Sequence, residues 1–184
     1  MNTPANIKKI IDDLSRRFSE HPQNPLITVS ISEQKLYLIE KNKVTESYVI
    51  SSAKKGTGNL SGSYKTPLGI HRISEKLGDG AEIGSIFKAR ENTHKIAKTL
   101  SHPDEESSAD NITSRILWLS GLEEGFNKGG NIDSHDRYIY IHGTDEEGRL
   151  GKAVSHGCIR MGNRAVIELF DRVTVGTLVN IIEN

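Results

Sequence analysis

Residues 26–184 predict a mainly β domain, a sandwich or barrel-like sheet, preceded by an N-terminal helical extension over residues 1–25. Short runs rich in β-branched and aromatic residues recur along the chain, and glycine or polar turn residues separate them. Only two stretches carry helical periodicity.

The first of these is at the N-terminus, where Ile7, Ile10, Ile11, Leu14 and Phe18 recur at spacings of three and four. Thr3 and Pro4 supply a cap and a first turn. The polar face mixes Lys, Asp and Arg, so it predicts a helix packed on the domain rather than a basic helix on a membrane. After His21-Pro22-Gln23-Asn24-Pro25 the period changes. Leu26 to Ile31, Lys35 to Ile39 and Val44 to Ile50 read as a β meander.

Gly69 to Ile73, Arg115 to Leu119, Tyr138 to Ile141 and Thr177 to Ile182 read as further strands. Trp118 sits inside the apolar run Ile116 to Leu119, which predicts core packing rather than substrate stacking. Residues 163–173 form the second helix: Asn163 is its expected cap, and Val166, Leu169, Phe170 and Val173 are its apolar stripe. The polar segment Lys76 to Asn111 reads as a solvated loop, with a partial cover over a cleft as its functional alternative.

Composition narrows the function classes. The 24 basic residues balance 24 acidic ones, so no net field favours nucleic acid or an anionic membrane. Nothing approaches the roughly 20 apolar residues that a spanning helix needs, so the chain is expected to be soluble, without membrane insertion. Met1 to Asn6 show no secretory leader pattern, which places the protein in the cytoplasm, or in the periplasm if a native leader precedes this sequence. The single cysteine excludes an internal disulfide. No signal fixes an oligomeric state.

Three motifs compete for the chemistry. Gly56-Thr57-Gly58-Asn59-Leu60-Ser61-Gly62 approximates a phosphate cradle, but its third glycine is displaced by one position, and Lys65-Thr66 does not follow a glycine. Turn glycines explain it better. A zinc site is conceivable from His142, His156 and Cys158, with His135 as a further ligand. The paired Cys-x-x-Cys and His-Glu-x-x-His spacings are absent, so a metal-free thiol is preferred and no cofactor is expected.

The thiol reading centres on Ser155-His156-Gly157-Cys158-Ile159-Arg160. Gly157 permits tight backbone geometry, and Arg160 brings positive charge that favours thiolate. His142 can accept the proton if the fold brings it close. The intervening Asp145-Glu146-Glu147-Gly148-Arg149 reads as a turn joining two adjacent strands. Cys158 would then attack a carbonyl while backbone N–H groups near Gly157 and Cys158 stabilise the oxyanion. His71, His94 and His102 lack companions at a useful spacing and read as structural or surface residues.

At these residues the chain resembles the L,D-transpeptidases with a YkuD-type catalytic domain. Their signature, His-Gly on one strand and then Ser-His-Gly-Cys-x-Arg, is matched by His142-Gly143 and by Ser155 to Arg160. Thr66-Pro67-Leu68-Gly69 and the strand Gly176-Thr177-Leu178-Val179 look like two more family segments, so the likeness runs over residues 26–182. The resemblance implies a β-rich domain that acts on peptidoglycan stem peptides, cleaving between the L-centre of meso-diaminopimelate and D-alanine. It implies Cys158 as nucleophile, His142 as general base, and the Gly143 carbonyl as the group orienting the imidazole. Arg160 would fix the loop or a substrate carboxylate. Ser155 and His156 would shape the loop or take part directly. With a cytoplasmic location, water is the expected acceptor, giving an L,D-carboxypeptidase for soluble muropeptides. The alternatives are a transpeptidase making crosslinks or exchanging D-amino acids, and a non-catalytic wall-binding module.

Overall fold

A computed structural model of the chain describes residues 7–183. The expected Thr3-Pro4 cap lies outside the described residues. Helix α1 (Ile7–Arg17) is the first described element and helix α2 (Asn163–Arg172) follows the cysteine loop. Among the described residues there are ten strands: β1 (Leu26–Ser30), β2 (Lys35–Glu40), β3 (Lys43–Ser51), β4 (Gly69–Leu77), β5 (Ser85–Lys88), β6 (Glu91–Ile96), β7 (Ile112–Gly121), β8 (Tyr140–Thr144), β9 (Ile159–Met161) and β10 (Leu178–Ile182). No described helix is long and apolar enough to cross a membrane.

The expected meander is present as the antiparallel run β1-β2-β3. The full order is β4-β10-β1-β2-β3-β9-β8-β7-β5-β6, and a further pairing of β4 with β7 closes eight of the strands into a barrel. Closure removes the free edges that would otherwise expose unpaired N–H and C=O groups. The hairpin β5-β6 projects from the first residues of β7 as an extension outside the ring.

Strand alternation builds two layers of packing. Ile27, Val29, Leu36, Leu38, Leu117, Leu119, Ile141, Ile159 and Val179 point inward to one buried cluster. Helix α2 lies against β7 and β8 and adds Val166, Leu169, Phe170 and Val173 to the same interior. The outward-facing Leu26, Ile39, Ile70 and Leu178 are covered by Ile11 and Leu14 of α1, with Phe18 beside them, so the N-terminal helix packs on the sheet. A third cluster, Phe87, Ile116, Trp118 and Tyr140, forms on the outside of β7 and β8 under the β5-β6 hairpin. Trp118 is therefore buried as expected, but against an outer-face aromatic group rather than in the barrel interior.

Three expectations are corrected. Residues 76–111 are not one solvated loop: they hold the end of β4 and the whole β5-β6 hairpin, whose turn residues Ala89 and Arg90 both have positive φ. Asn163 is not the cap of α2. Gly162 occupies that position without a side-chain bond, and the Asn163 amide is drawn elsewhere, donating to Thr144 O and accepting from Thr113 and Ser114. Finally, β8 and β9 are adjacent but parallel, so residues 145–158 form a crossover rather than a simple turn.

Candidate active site

The parallel pairing of β8 with β9 sets His142 opposite Arg160 and Ile141 opposite Ile159. Because side chains alternate, Ile141, Ile159 and Met161 enter the core, whereas Tyr140, His142, Cys158 and Arg160 face outward. His142 and Cys158, sixteen residues apart in sequence, thus line one cavity of about 110 Å³ together with Asp110, Ile112, Ser155, His156 and Arg160.

His142 is buried, and its Nδ1 lies 2.7 Å from the carbonyl oxygen of Gly143. A carbonyl can only accept, so Nδ1 carries the proton and Nε2 is left as a free base. Burial pushes the imidazole pKa down to about 4, against the opposing hydrogen bond that the ring donates to the Gly143 carbonyl and with help from Arg160. The ring is neutral at physiological pH. Residue 143 has no room for a side chain: an added Cβ would sit 2.5 Å from Thr113 O and 2.9 Å from Thr113 Oγ1. The His-Gly pair is thus a steric requirement as well as a tautomer device.

Cys158 is half-buried at the margin of the aromatic cluster. Its Sγ accepts from the backbone N–H of Tyr140 and faces the Tyr138 carbonyl, each at 3.4 Å. These backbone groups, rather than the imidazole, are the hydrogen-bond partners of the resting thiol. Burial pushes its pKa up to about 11, the Tyr140 N–H opposes this, and Asp110 adds to it ahead of the lowering effect of Arg160. The sequence expectation that Arg160 favours thiolate is therefore corrected. Desolvation wins because Arg160 is already neutralised by two carboxylates.

The cysteine loop is held from three sides. Ser155 Oγ donates to Cys158 O at 2.6 Å and accepts the Gly157 N–H at 3.2 Å. That second bond turns the Gly157 N–H inward, so in this conformation it is not a free oxyanion donor as expected. Ser155 is bridged to Ala53, with Ser155 N donating to Ser52 O and Lys54 N to Ser155 O. Thr66, fully buried, accepts from Ala53 N at 2.9 Å and donates to Gly157 O at 3.0 Å. Gly157 itself has φ 132°, a region that favours glycine.

Arg160 is 3% exposed and pairs with Glu146 at 2.6 Å and Asp110 at 2.5 Å. Glu146, equally buried, also accepts from Ser107 N and Arg149. His156 points outward and its Nδ1 meets the other Asp110 oxygen at 2.7 Å. Burial would raise the Asp110 carboxyl, but Arg160 and the His156 hydrogen bond outweigh it and hold it below its usual range. Among the described residues, no group of three or more His, Cys, Asp or Glu side chains could hold a metal ion. His135 is instead stacked on Trp118 with centroids 4.1 Å apart. His71 is buried between Gly69 O and Ser134 Oγ, while His94 and His102 are on the surface.

Sequence reasoning overlooked several supports of the site. Thr66 was visible only as a motif letter, and nothing local signals that its hydroxyl reaches Gly157. Asp110 lay in a polar stretch with many equivalent acids. Arg137, which donates to Lys65 O at 2.6 Å and to Gly58 O at 3.2 Å, ties the glycine-rich turn to the segment before β8. That turn is therefore a structural brace, as its failed phosphate pattern suggested.

An eight-stranded barrel presenting a neutral, carbonyl-tethered histidine and a half-buried cysteine to one cleft defines the class. The sequence profile of the YkuD family, the L,D-transpeptidase catalytic domain, matches residues 24–181, and the chain belongs to that family. YqjB of Bacillus subtilis, which carries an L,D-transpeptidase name, is 33% identical over 164 residues, covering 89% of this chain and 74% of YqjB. YcfS of Escherichia coli K12, with the same kind of name, is 28% identical over 85% of this chain but only 43% of its own length. The fold is also that of an L,D-transpeptidase from Mycobacterium smegmatis (TM-score 0.53, 20% identity), matched over 86% of this chain and 58% of the mycobacterial one. The chain thus spans less than two thirds of YcfS and of the mycobacterial protein.

Proposed function

We propose that this chain is a cysteine-dependent L,D-carboxypeptidase acting on peptidoglycan stem peptides. Cys158 Sγ attacks the carbonyl at the L-centre of meso-diaminopimelate as His142 Nε2 takes the thiol proton. The same imidazole returns that proton to the departing amine of D-alanine, leaving a thioester on Cys158. Water, deprotonated by His142, then hydrolyses the thioester and regenerates the thiol. Because resting thiol and imidazole are both neutral, proton transfer accompanies attack rather than preceding it. The Tyr140 N–H, already 3.4 Å from Sγ, steadies the developing negative charge. Arg160, paired with Glu146 and Asp110, lines the cleft, and Ser155 and Thr66 hold the loop.

The observation that carries this reading is the shared cleft of His142 and Cys158 with the imidazole tautomer fixed by Gly143. The choice of water follows from the cytoplasmic location proposed with it, where soluble muropeptides are available and crosslinked wall is not. The fitting donor is a soluble muropeptide and the fitting location the cytoplasm, which fractionation of producing cells tests directly.

Incubation with a disaccharide tetrapeptide in H₂¹⁸O, followed by mass spectrometry, is expected to yield tripeptide with one ¹⁸O and free D-alanine. Crosslinked dimers or D-amino-acid exchange products without tripeptide would instead identify a transpeptidase. Cys158→Ala that still turns over would remove the thiol mechanism, and tight peptide binding without turnover would indicate a binding module.

A further inference from the structure

The mouth of the cleft contains a carboxylate held like a ligand. Asp110 places one oxygen 2.5 Å from Arg160 Nη2 and the other 2.7 Å from His156 Nδ1, and its side chain lines the same cavity as Cys158 and His142. Arg160 is fixed from behind by Glu146, which is 3% exposed and anchored by Ser107 N and Arg149 as well. Asp110 has no such backing. Its side chain is 35% exposed, its partner His156 is 70% exposed, and its backbone is in the left-handed region with φ 44°.

The chain on either side of Asp110 is tied down independently of it. Ser107 Oγ and Asn111 Nδ2 each donate to Asp145 Oδ2 at 2.7 Å. Residues 108–110 can therefore swing outward while both ends of the short arch stay attached. Removing Asp110 alone would leave two cationic or donor groups, Arg160 Nη2 and His156 Nδ1, converging on the cavity wall beside Sγ. A carboxylate is the group those two donors fit.

We infer that Arg160 and His156 form a carboxylate subsite beside Cys158, filled in the free protein by Asp110 and taken over by the terminal carboxylate of the donor peptide. The inference rests on the reading of Cys158 as the nucleophile of stem-peptide acyl transfer. In such a donor the D-alanine carboxylate is separated from the attacked carbonyl carbon only by the amide nitrogen and one carbon. It must lie close to Sγ when the carbonyl does, and Asp110 occupies that neighbourhood. Asp110 is thus an internal competitor: it covers the thiol until a carboxylate-bearing chain displaces it, and a neutral chain end cannot make the exchange.

The test compares two alkylating agents of nearly equal shape, iodoacetate and iodoacetamide, at Cys158 of the full chain at pH 8.5. An internal competitor lowers apparent affinity by the fraction of time it occupies the site. With charge-assisted bonds of ordinary strength, the ratio of iodoacetate to iodoacetamide rates is expected to rise about tenfold or more in Asp110→Asn. Iodoacetate labelling should also saturate and be blocked by N-acetyl-D-alanine, but not by chloride at equal ionic strength. Adding His156→Gln should return the ratio toward wild type, and Asp104→Asn, which removes an exposed charge from the same segment, should not change it. An unchanged or lower ratio in both Asp110→Asn and Asp110→Ser, or equal protection by chloride, overturns the inference. Labelling requires no turnover, so this outcome is independent of whether a tetrapeptide proves to be the substrate.

Discussion

Thr66→Val removes a hydroxyl and replaces it with a methyl of nearly the same volume. In the native site this hydroxyl accepts from Ala53 N at 2.9 Å and donates to Gly157 O at 3.0 Å, with Thr66 and Ala53 fully buried and Gly157 buried as well. Valine leaves one buried donor and one buried acceptor without a partner, and each such loss costs about 1–3 kcal/mol. A central total of about 4 kcal/mol corresponds to a fall in Tm of roughly 8–16 °C for a chain of this size. Freed from Thr66, the Gly157 carbonyl lets the turn before Cys158 relax, so kcat should fall about tenfold or more with KM little changed. Thr66→Ser keeps the hydroxyl and should recover most of both. Thermal unfolding followed by circular dichroism and steady-state D-alanine release measure the two effects. A Val variant that melts within about 2 °C of wild type and keeps its kcat would refute the brace.

Four further outcomes are expected. Gly143→Ala forces a Cβ to 2.5 Å from Thr113 O; overpacking costs about 1–3 kcal/mol, and displacement of the carbonyl from His142 should lower kcat by about 10²-fold or more, with loss of the Nδ1–H tautomer visible in ¹⁵N spectra. His142 and His71 both have pKa values pushed down to about 4 by burial, from 6.5. The unfolded chain therefore binds more protons between these values, so stability is full above pH 6.5 and falls toward pH 4, by a few kcal/mol for each histidine. Denaturant titrations across that range should show this slope, and His71→Gln should roughly halve it. Glu146→Gln breaks the buried pair with Arg160 and should destabilise by about 3–5 kcal/mol, read by urea unfolding; a change below about 1 kcal/mol would mean Asp110 suffices as partner. Because burial pushes the Cys158 thiol up to about 11, its alkylation by iodoacetamide should be slow at pH 7 and accelerate well into the alkaline range, and fast neutral labelling would contradict that environment.

The strands of the barrel were legible where their residues alternate between two buried layers. Leu36 and Leu38 face the interior and Ile39 faces α1, so β2 announces itself by composition. Strand β6 does not. Its residues Glu91 to Ile96 are largely exposed, and its pairing with β5 depends on backbone bonds that leave no apolar period. The misplaced cap of α2 has a similar origin: Asn163 has the residue type of a cap, but three distant backbone and hydroxyl groups compete for its amide and win. For the site, His142, Gly143 and Cys158 could be named because their chemistry and spacing are local properties. Thr66, Asp110 and Glu146 could not be ranked above their neighbours, since their roles arise from contacts across 91, 50 and 14 residues respectively.

By itself, the sequence determined the mainly β class and the two helices, and it offered the histidine and cysteine of the proposed acyl transfer, because periodicity and functional groups are written along the chain. Only the tertiary structure decided that β4 meets β7 to close the barrel, and that β8 runs parallel to β9 so that His142 and Cys158 share one cleft. It also set the resting protonation state. Burial makes both groups neutral and Glu146 and Asp110 together offset the charge of Arg160, and desolvation and long-range ion pairing are properties of where residues end up in space rather than of their order.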